Sequence, residues 1–117
     1  MTETDAVDAR KVVWAAESQD PPKAETLREA LREIVDPEIG LNIIELGLIR
    51  DVDLQTEKTL VTMILTTPFC PYGPAIMEET RKKVADVAGM PAAIEMGTEL
   101  WEPAMMEEGA GADWGLF

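Results

Sequence analysis

Apolar and polar positions divide this chain into segments of different period. Over residues 24–35, Leu27, Leu31, Ile34 and Val35 recur at helical spacing, while Glu25, Arg28, Glu29, Arg32 and Glu33 fill the other face. This predicts an amphipathic helix that Asp36-Pro37 ends, because the residue before a proline is pushed out of the helical region. Residues 36–47 contain a proline, two glycines and uneven apolar spacing, which fits an ordered loop tacked down by Ile39, Ile43 and Leu46. Residues 48–54 alternate loosely and 59–66 are rich in β-formers (Leu60, Val61, Thr62, Ile64). With the polar turn Gln55-Thr56-Glu57-Lys58 between them they predict a hairpin. Residues 71–88 read as a second helix with Ile76, Thr80, Val84 and Val87 or Ala88 as its buried stripe. Pro71 suits the first helical position and Cys70 the N-cap, and Gly89 and Pro91 stop the helix. Ala92 to Leu100 alternates, with Ile94, Met96 and Leu100 on one face and Glu95 and Glu99 on the other, and predicts a third strand.

The order helix-strand-strand-helix-strand predicts a small α/β (α+β) domain: a three-stranded mixed sheet with both helices on one face. A strand-helix-strand crossover is right-handed, so the third strand is expected parallel to one strand of the hairpin. The domain is placed at residues 23–104, between an acidic, flexible tail at 1–22 and a glycine-broken tail at 105–117. Within the first tail, Val12-Val13-Trp14 reads either as a patch docked on the body or as a sticky spot in a disordered segment, and the second reading is preferred. Trp114-Gly115-Leu116-Phe117 either packs back or anchors a partner.

Composition narrows the function. The 117 residues carry a net charge of −13, which argues against nucleic acid and anionic membranes as partners. No apolar run approaches the length of a membrane span and no secretory signal pattern opens the chain, so a cytoplasmic location is expected. There is no histidine, which removes a Cys-His dyad, a histidine metal site and the usual general base near neutral pH.

The one cysteine, Cys70, cannot form an internal disulfide and fits a reducing compartment. At a helix N-terminus its thiolate would be favoured by backbone N–H groups and the helix dipole. A lone cysteine is also commonly a small buried apolar residue. Acidic residues near it would oppose the thiolate.

Three patches surround this chemistry: Asp36-Pro37-Glu38 with Asn42-Ile43 and Leu46-Gly47-Leu48-Ile49, Thr66-Thr67-Pro68-x-Cys70-Pro71, and Trp101-x-Pro103-x-x-Met106. In this order and spacing they resemble the metal–sulfur cluster biosynthetic family, which includes SufT and PaaD proteins and a eukaryotic component of cytosolic iron–sulfur assembly. The resemblance covers about residues 24–107. It implies a compact α/β domain, a role in supplying iron–sulfur clusters to client proteins, and Cys70 as the functional thiol. Asp36, Glu38, Thr66 and Thr67 match the family's acids and hydroxyls, and these loops are implied to face one shallow pocket. The chain departs from the pattern at Glu107, where a serine often follows the methionine.

Read without the resemblance, each patch has a plainer account. Asp36 closes the first helix, Glu38 is solvated, Thr66 and Thr67 satisfy a helix N-terminus, Trp101 covers core, and Arg81-Lys82-Lys83 is a solvated face. Clusters need thiolate-rich ligation, typically from four cysteines, so one thiol cannot hold a cluster within a monomer. It is left to share a transient cluster or iron between subunits, to hand it over, to carry a persulfide, or to shape a docking surface. A symmetric homodimer would bring two thiols together. The leading expectation is an accessory assembly or delivery factor, rather than a turnover enzyme, whose partners are client proteins or the assembly machinery. The alternatives are a PaaD-like subunit of a multicomponent oxygenase and, last, a thiol enzyme with Asp36 or Glu38 as base, since ordinary carboxylates are poor bases for a thiol.

Overall fold

The computed structural model describes residues 13–67 and 71–107, so Cys70, residues 1–12 and the apolar end Trp114–Phe117 lie outside the described residues. Two consecutive helices, α1 (Ala16–Gln19) and α2 (Pro21–Leu31), lead into a long loop. The hairpin β1 (Ile49–Leu54) and β2 (Thr59–Met63), helix α3 (Gly73–Ala88), strand β3 (Ala92–Met96) and a 3-10 turn at Pro103–Met105 follow. The sheet order is β1-β2-β3. β1 and β2 are antiparallel, and β3 returns parallel to β2, which is the predicted mixed sheet. Helix α3 packs on β2 and β3, and α2 packs on α3.

The α3 stripe is as its period predicts: Ile76, Thr80, Val84 and Ala88 are buried. Thr80 is tolerated there because its hydroxyl donates to the Ile76 carbonyl (2.7 Å). Gly89 ends the helix at φ 74°, the left-handed geometry that glycine adopts without strain. The core joins Leu27 and Leu31 of α2 to Val52, Val61 and Met63 of the sheet. Ile34, Ile43, Leu46 and Leu48 of the long loop complete it. Each such side chain contributes about 1.5–3 kcal/mol on burial.

Element boundaries differ from the sequence reading: the hairpin strands are shorter, β1 starting at Ile49 rather than 48 and β2 ending at Met63 rather than 66, and the larger changes lie in α2, α3 and β3. Helix α2 starts at Pro21 rather than 24, because Asp20 caps it by accepting the Lys23 N–H (3.2 Å) and the two prolines occupy its first turn. It ends at Leu31 rather than 35. Beyond it the chain extends, with the Ile43 N–H donating to the Ile34 carbonyl and Val35 bridging Asn42, and Val35 is left 47% exposed. Helix α3 is capped at Tyr72, with Pro74 in its first turn, so the positions predicted for Cys70 and Pro71 belong to residues further along. Strand β3 stops at Met96, four residues early: Gly97 donates the last ladder bond to Met63 and the chain turns away, leaving Leu100 78% exposed.

Trp14, expected in a disordered tail, is 1% exposed and belongs to the core. Its indole N–H donates to the Ile49 carbonyl (3.3 Å) and Arg28 lies 4.1 Å over its ring. Around it, the Ala15 N–H donates to Asp51, while Gln19 donates to Asp53 and accepts from the Leu54 N–H. Residues Trp14 to Gln19 are therefore fastened to β1, with Trp14 and Gln19 satisfying the Ile49 carbonyl and the Leu54 N–H.

Candidate functional site

The Asp36-Pro37-Glu38 patch is a turn closed by Asp36. This carboxylate is 2% exposed and accepts the Glu38 N–H (2.9 Å). The Asp36 carbonyl accepts from Ile39 and Gly40, and its N–H donates to Leu41. Asp36 thus organises the loop after α2 rather than ending the helix, while Glu38 is exposed. The next turn is held reciprocally: the Asn42 side chain accepts the Glu45 N–H (2.7 Å) and the Glu45 carboxylate accepts the Asn42 N–H (2.9 Å).

The Trp101-x-Pro103-x-x-Met106 patch is seated on that turn. The Trp101 indole N–H donates to the Leu46 carbonyl (2.7 Å), Met105 lies against Gly47, and Met106 is fully buried. Glu107, the departure from the family pattern, fastens the end. Its N–H donates to the Glu45 carbonyl, and its carboxylate takes a bidentate pair from Arg32 at 2.8 and 2.7 Å. The Arg32 hydrogen bonds hold the Glu107 carboxyl below its usual range against the opposing effect of burial, and the same bonds push the Arg32 guanidinium up.

A cleft of about 300 Å³ opens beyond the end of β2. Thr66 and Thr67 line it together with the stretch from Met96 to Trp101, and Ile64 and Leu65 contribute apolar lining. Sequence reasoning missed Arg50, which steadies this cleft. Its guanidinium donates to Glu99 at 2.8 and 3.3 Å and to the Gly47 carbonyl at 3.0 Å. No local signal marks such a pair, because its members stand 49 positions apart.

Thr66 and Thr67 share the cleft with Trp101, whereas Asp36 and Glu38 share a separate turn and do not line it. Cys70, three positions past Thr67, lies outside the described residues. Among the described residues, no cluster of three or more histidine, cysteine or acidic side chains is placed to hold a metal ion. The cleft combines threonine and glutamate side chains with apolar lining, the composition of a surface that docks a ligand or peptide.

Residues 24–94 match the family described as iron–sulfur cluster assembly protein. The chain is 44% identical over 64 residues to the Fe-S protein maturation auxiliary factor YitW of Bacillus subtilis, a match spanning 54% of this chain and 63% of that protein. It is 39% identical over 95 residues to an Fe-S protein maturation auxiliary factor of Porphyromonas gingivalis, spanning 79% of this chain and 90% of the relative. A solved domain of unknown function from Bacillus anthracis has the same fold, with a TM-score of 0.74 at 23% identity over 86% of this chain and 98% of that one. A conserved hypothetical protein of Thermotoga maritima gives 0.67 at 26% identity, over 79% and 93%. Family match, close relatives and fold agree, and the chain belongs to the iron–sulfur cluster assembly protein family.

Proposed function

We propose that this protein is an accessory factor that assists assembly of iron–sulfur clusters or their delivery to client proteins, with Cys70 as its functional thiol. The observation that carries the reading is the family match over residues 24–94, which contains both the Asp36-Pro37-Glu38 turn and the Thr66-to-Pro71 segment. Two relatives are named Fe-S protein maturation auxiliary factors. The cluster is cargo here. A single thiolate supplies one soft ligand, so the remaining ligands come from the donor, the client or small thiols during handover. The cleft beside Thr66 and Thr67 supports docking of the partner close in sequence to that thiol. Glu38, exposed on its turn, is available as a hard oxygen donor to iron, while Asp36 acts by shaping the turn. The site of action is the cytoplasm, and no described helix is long and apolar enough to cross a membrane.

The test is complementation of a strain lacking the gene, read as cluster occupancy of its iron–sulfur enzymes, with wild type and Cys70→Ser. The substituted protein should fold and fail to restore occupancy; full restoration would overturn the thiol's role. Anaerobic incubation with iron and sulfide separates modes of action. Visible cluster absorption lost in Cys70→Ser indicates a carrier, and none in either protein indicates an adaptor that brings donor and client together.

A further inference from the structure

The two edges of the sheet are treated differently. At β1 two backbone groups meet side chains of the preceding segment: the Leu54 N–H donates to Gln19 and the Ile49 carbonyl accepts from Trp14. At β3 the outward direction is fixed by the ladder. The Pro91 carbonyl accepts from Thr59 and the Gly97 N–H donates to Met63, so odd-numbered residues of this segment face β2. In a parallel pair both backbone groups of a residue point the same way and alternate along the strand. The N–H and C=O groups of Ala92, Ile94 and Met96 therefore point away from the sheet. Among the described residues they make no hydrogen bond on that side. An edge of this kind is a template for another strand.

We propose that β3 pairs antiparallel with β3 of a second copy of this chain, about a two-fold axis at Ile94, to give a continuous six-stranded sheet. The register is self-complementary. Ile94 exchanges both bonds with the partner's Ile94, and Ala92 faces the partner's Met96 on each side of it, so every outward group is used. The intervening non-bonded pairs set Ala93 against the partner's Glu95, which keeps the two Glu95 carboxylates from standing opposite one another. Shifting the two chains one step toward Met96 would juxtapose them, and the opposite shift would leave the Met96 groups unpaired. Directly opposed like charges are destabilising.

The flank of this edge fits the same partner. Pro74, Met77 and Ile94 line a groove of about 380 Å³ between α3 and β3. Its two charged lining residues, Glu78 and Arg81, are paired with each other at 2.6 Å. In a chain of net charge −13, this groove is locally neutral and largely apolar, so that its meeting with the identical groove of a second copy adds no like-charge repulsion of its own. Antiparallel pairing at Ile94 lays the two grooves side by side.

Sedimentation of the full chain across micromolar concentrations, with circular dichroism to verify folding, tests the register directly. Wild type should associate to a dimer, and Ile94→Lys should shift it to monomer. Ala93→Lys should tighten the dimer and Ala93→Glu should weaken it, each by roughly two- to thirtyfold through two symmetric contacts with Glu95. The Ala93 pair keeps the test valid if Ile94→Lys fails to fold. A wild type that stays monomeric overturns the proposal, as does a dimer that responds alike to both Ala93 substitutions. Monomeric wild type that binds a client protein through this edge would assign the edge to a different occupant and likewise overturn it.

Discussion

Gly47 and the Met105 carbonyl are packed so closely that a β-carbon on Gly47 would overlap the carbonyl oxygen. Gly47 also holds φ 74°, a left-handed value. The contact is what allows the C-terminal motif to lie flat on the Asn42–Gly47 turn, and it makes the glycine a requirement of packing as well as of conformation.

Gly47→Ala should therefore destabilise the fold by about 2–4 kcal/mol, the sum of left-handed strain and overpacking. Gly40 has a similar φ of 86° with open space around it, so Gly40→Ala should cost only about 1–2 kcal/mol. Urea unfolding of both variants measures the difference. Equal losses would mean that the Met105 contact yields freely.

The buried Trp14 predicts that residues 13–15, directly before α1, are structural. Trp14→Ala should cost about 3–5 kcal/mol, in line with truncation of large buried aromatics. Val13, 73% exposed, should tolerate alanine within about 0.5 kcal/mol. Thermal melts of the two variants compare a buried, partnered position with its exposed neighbour.

The Arg32–Glu107 pair gives stability a pH dependence. The folded Glu107 carboxyl titrates below its ordinary value of 4.5, with the Arg32 hydrogen bonds as the main cause. A depressed carboxylate contributes stability that is fully present above the unfolded value and is lost as pH falls through the folded one. Because the pair is partly exposed, at 31% and 37%, its contribution is held to about 1 kcal/mol or less by solvent screening. Glu107→Gln should lower stability at neutral pH by that amount and leave it unchanged well below pH 4.5. Chemical denaturation at neutral and acid pH, wild type against variant, reads this directly. An equal loss at both would assign Glu107 a packing role alone.

The Asp36-Pro37-Glu38 turn separates shape from charge. Asp36→Asn keeps an oxygen that accepts the Glu38 N–H and should cost less than about 1 kcal/mol, whereas Asp36→Ala removes the acceptor of that partly buried N–H and should cost about 1–2 kcal/mol. Glu38→Gln, on an exposed side chain, should leave stability within about 0.5 kcal/mol. Measured beside client cluster occupancy, loss of function in Glu38→Gln without loss of stability would identify that carboxylate as a working group. Function retained there but lost in Asp36→Ala would locate the requirement in the shape of the turn.

What the sequence determined was local and periodic. The stripe Ile76, Thr80, Val84 and Ala88 repeats at helical spacing, and the β-rich runs on either side of Gln55–Lys58 admit little but a hairpin. The parallel return of β3 follows from crossover handedness. The motifs also carried the family, because they are linear patterns. Tertiary structure decided whatever depends on partners distant along the chain. Trp14 is core only because Ile49 and Arg28 stand ready to receive it. Glu107 is a fastening only because Arg32, 75 positions away, meets it. The start of α3 was ambiguous locally, since Pro71 and Pro74 send the same signal and the fold selected the second. The end of β3 was ambiguous too: the alternation runs on to Leu100, but the ladder closes at Gly97 where β2 has no further residues to pair. The seating of Trp101 and Met105 on the Asn42–Gly47 turn belongs to this second class, because motif order records which residues are present and packing alone determines which of them meet.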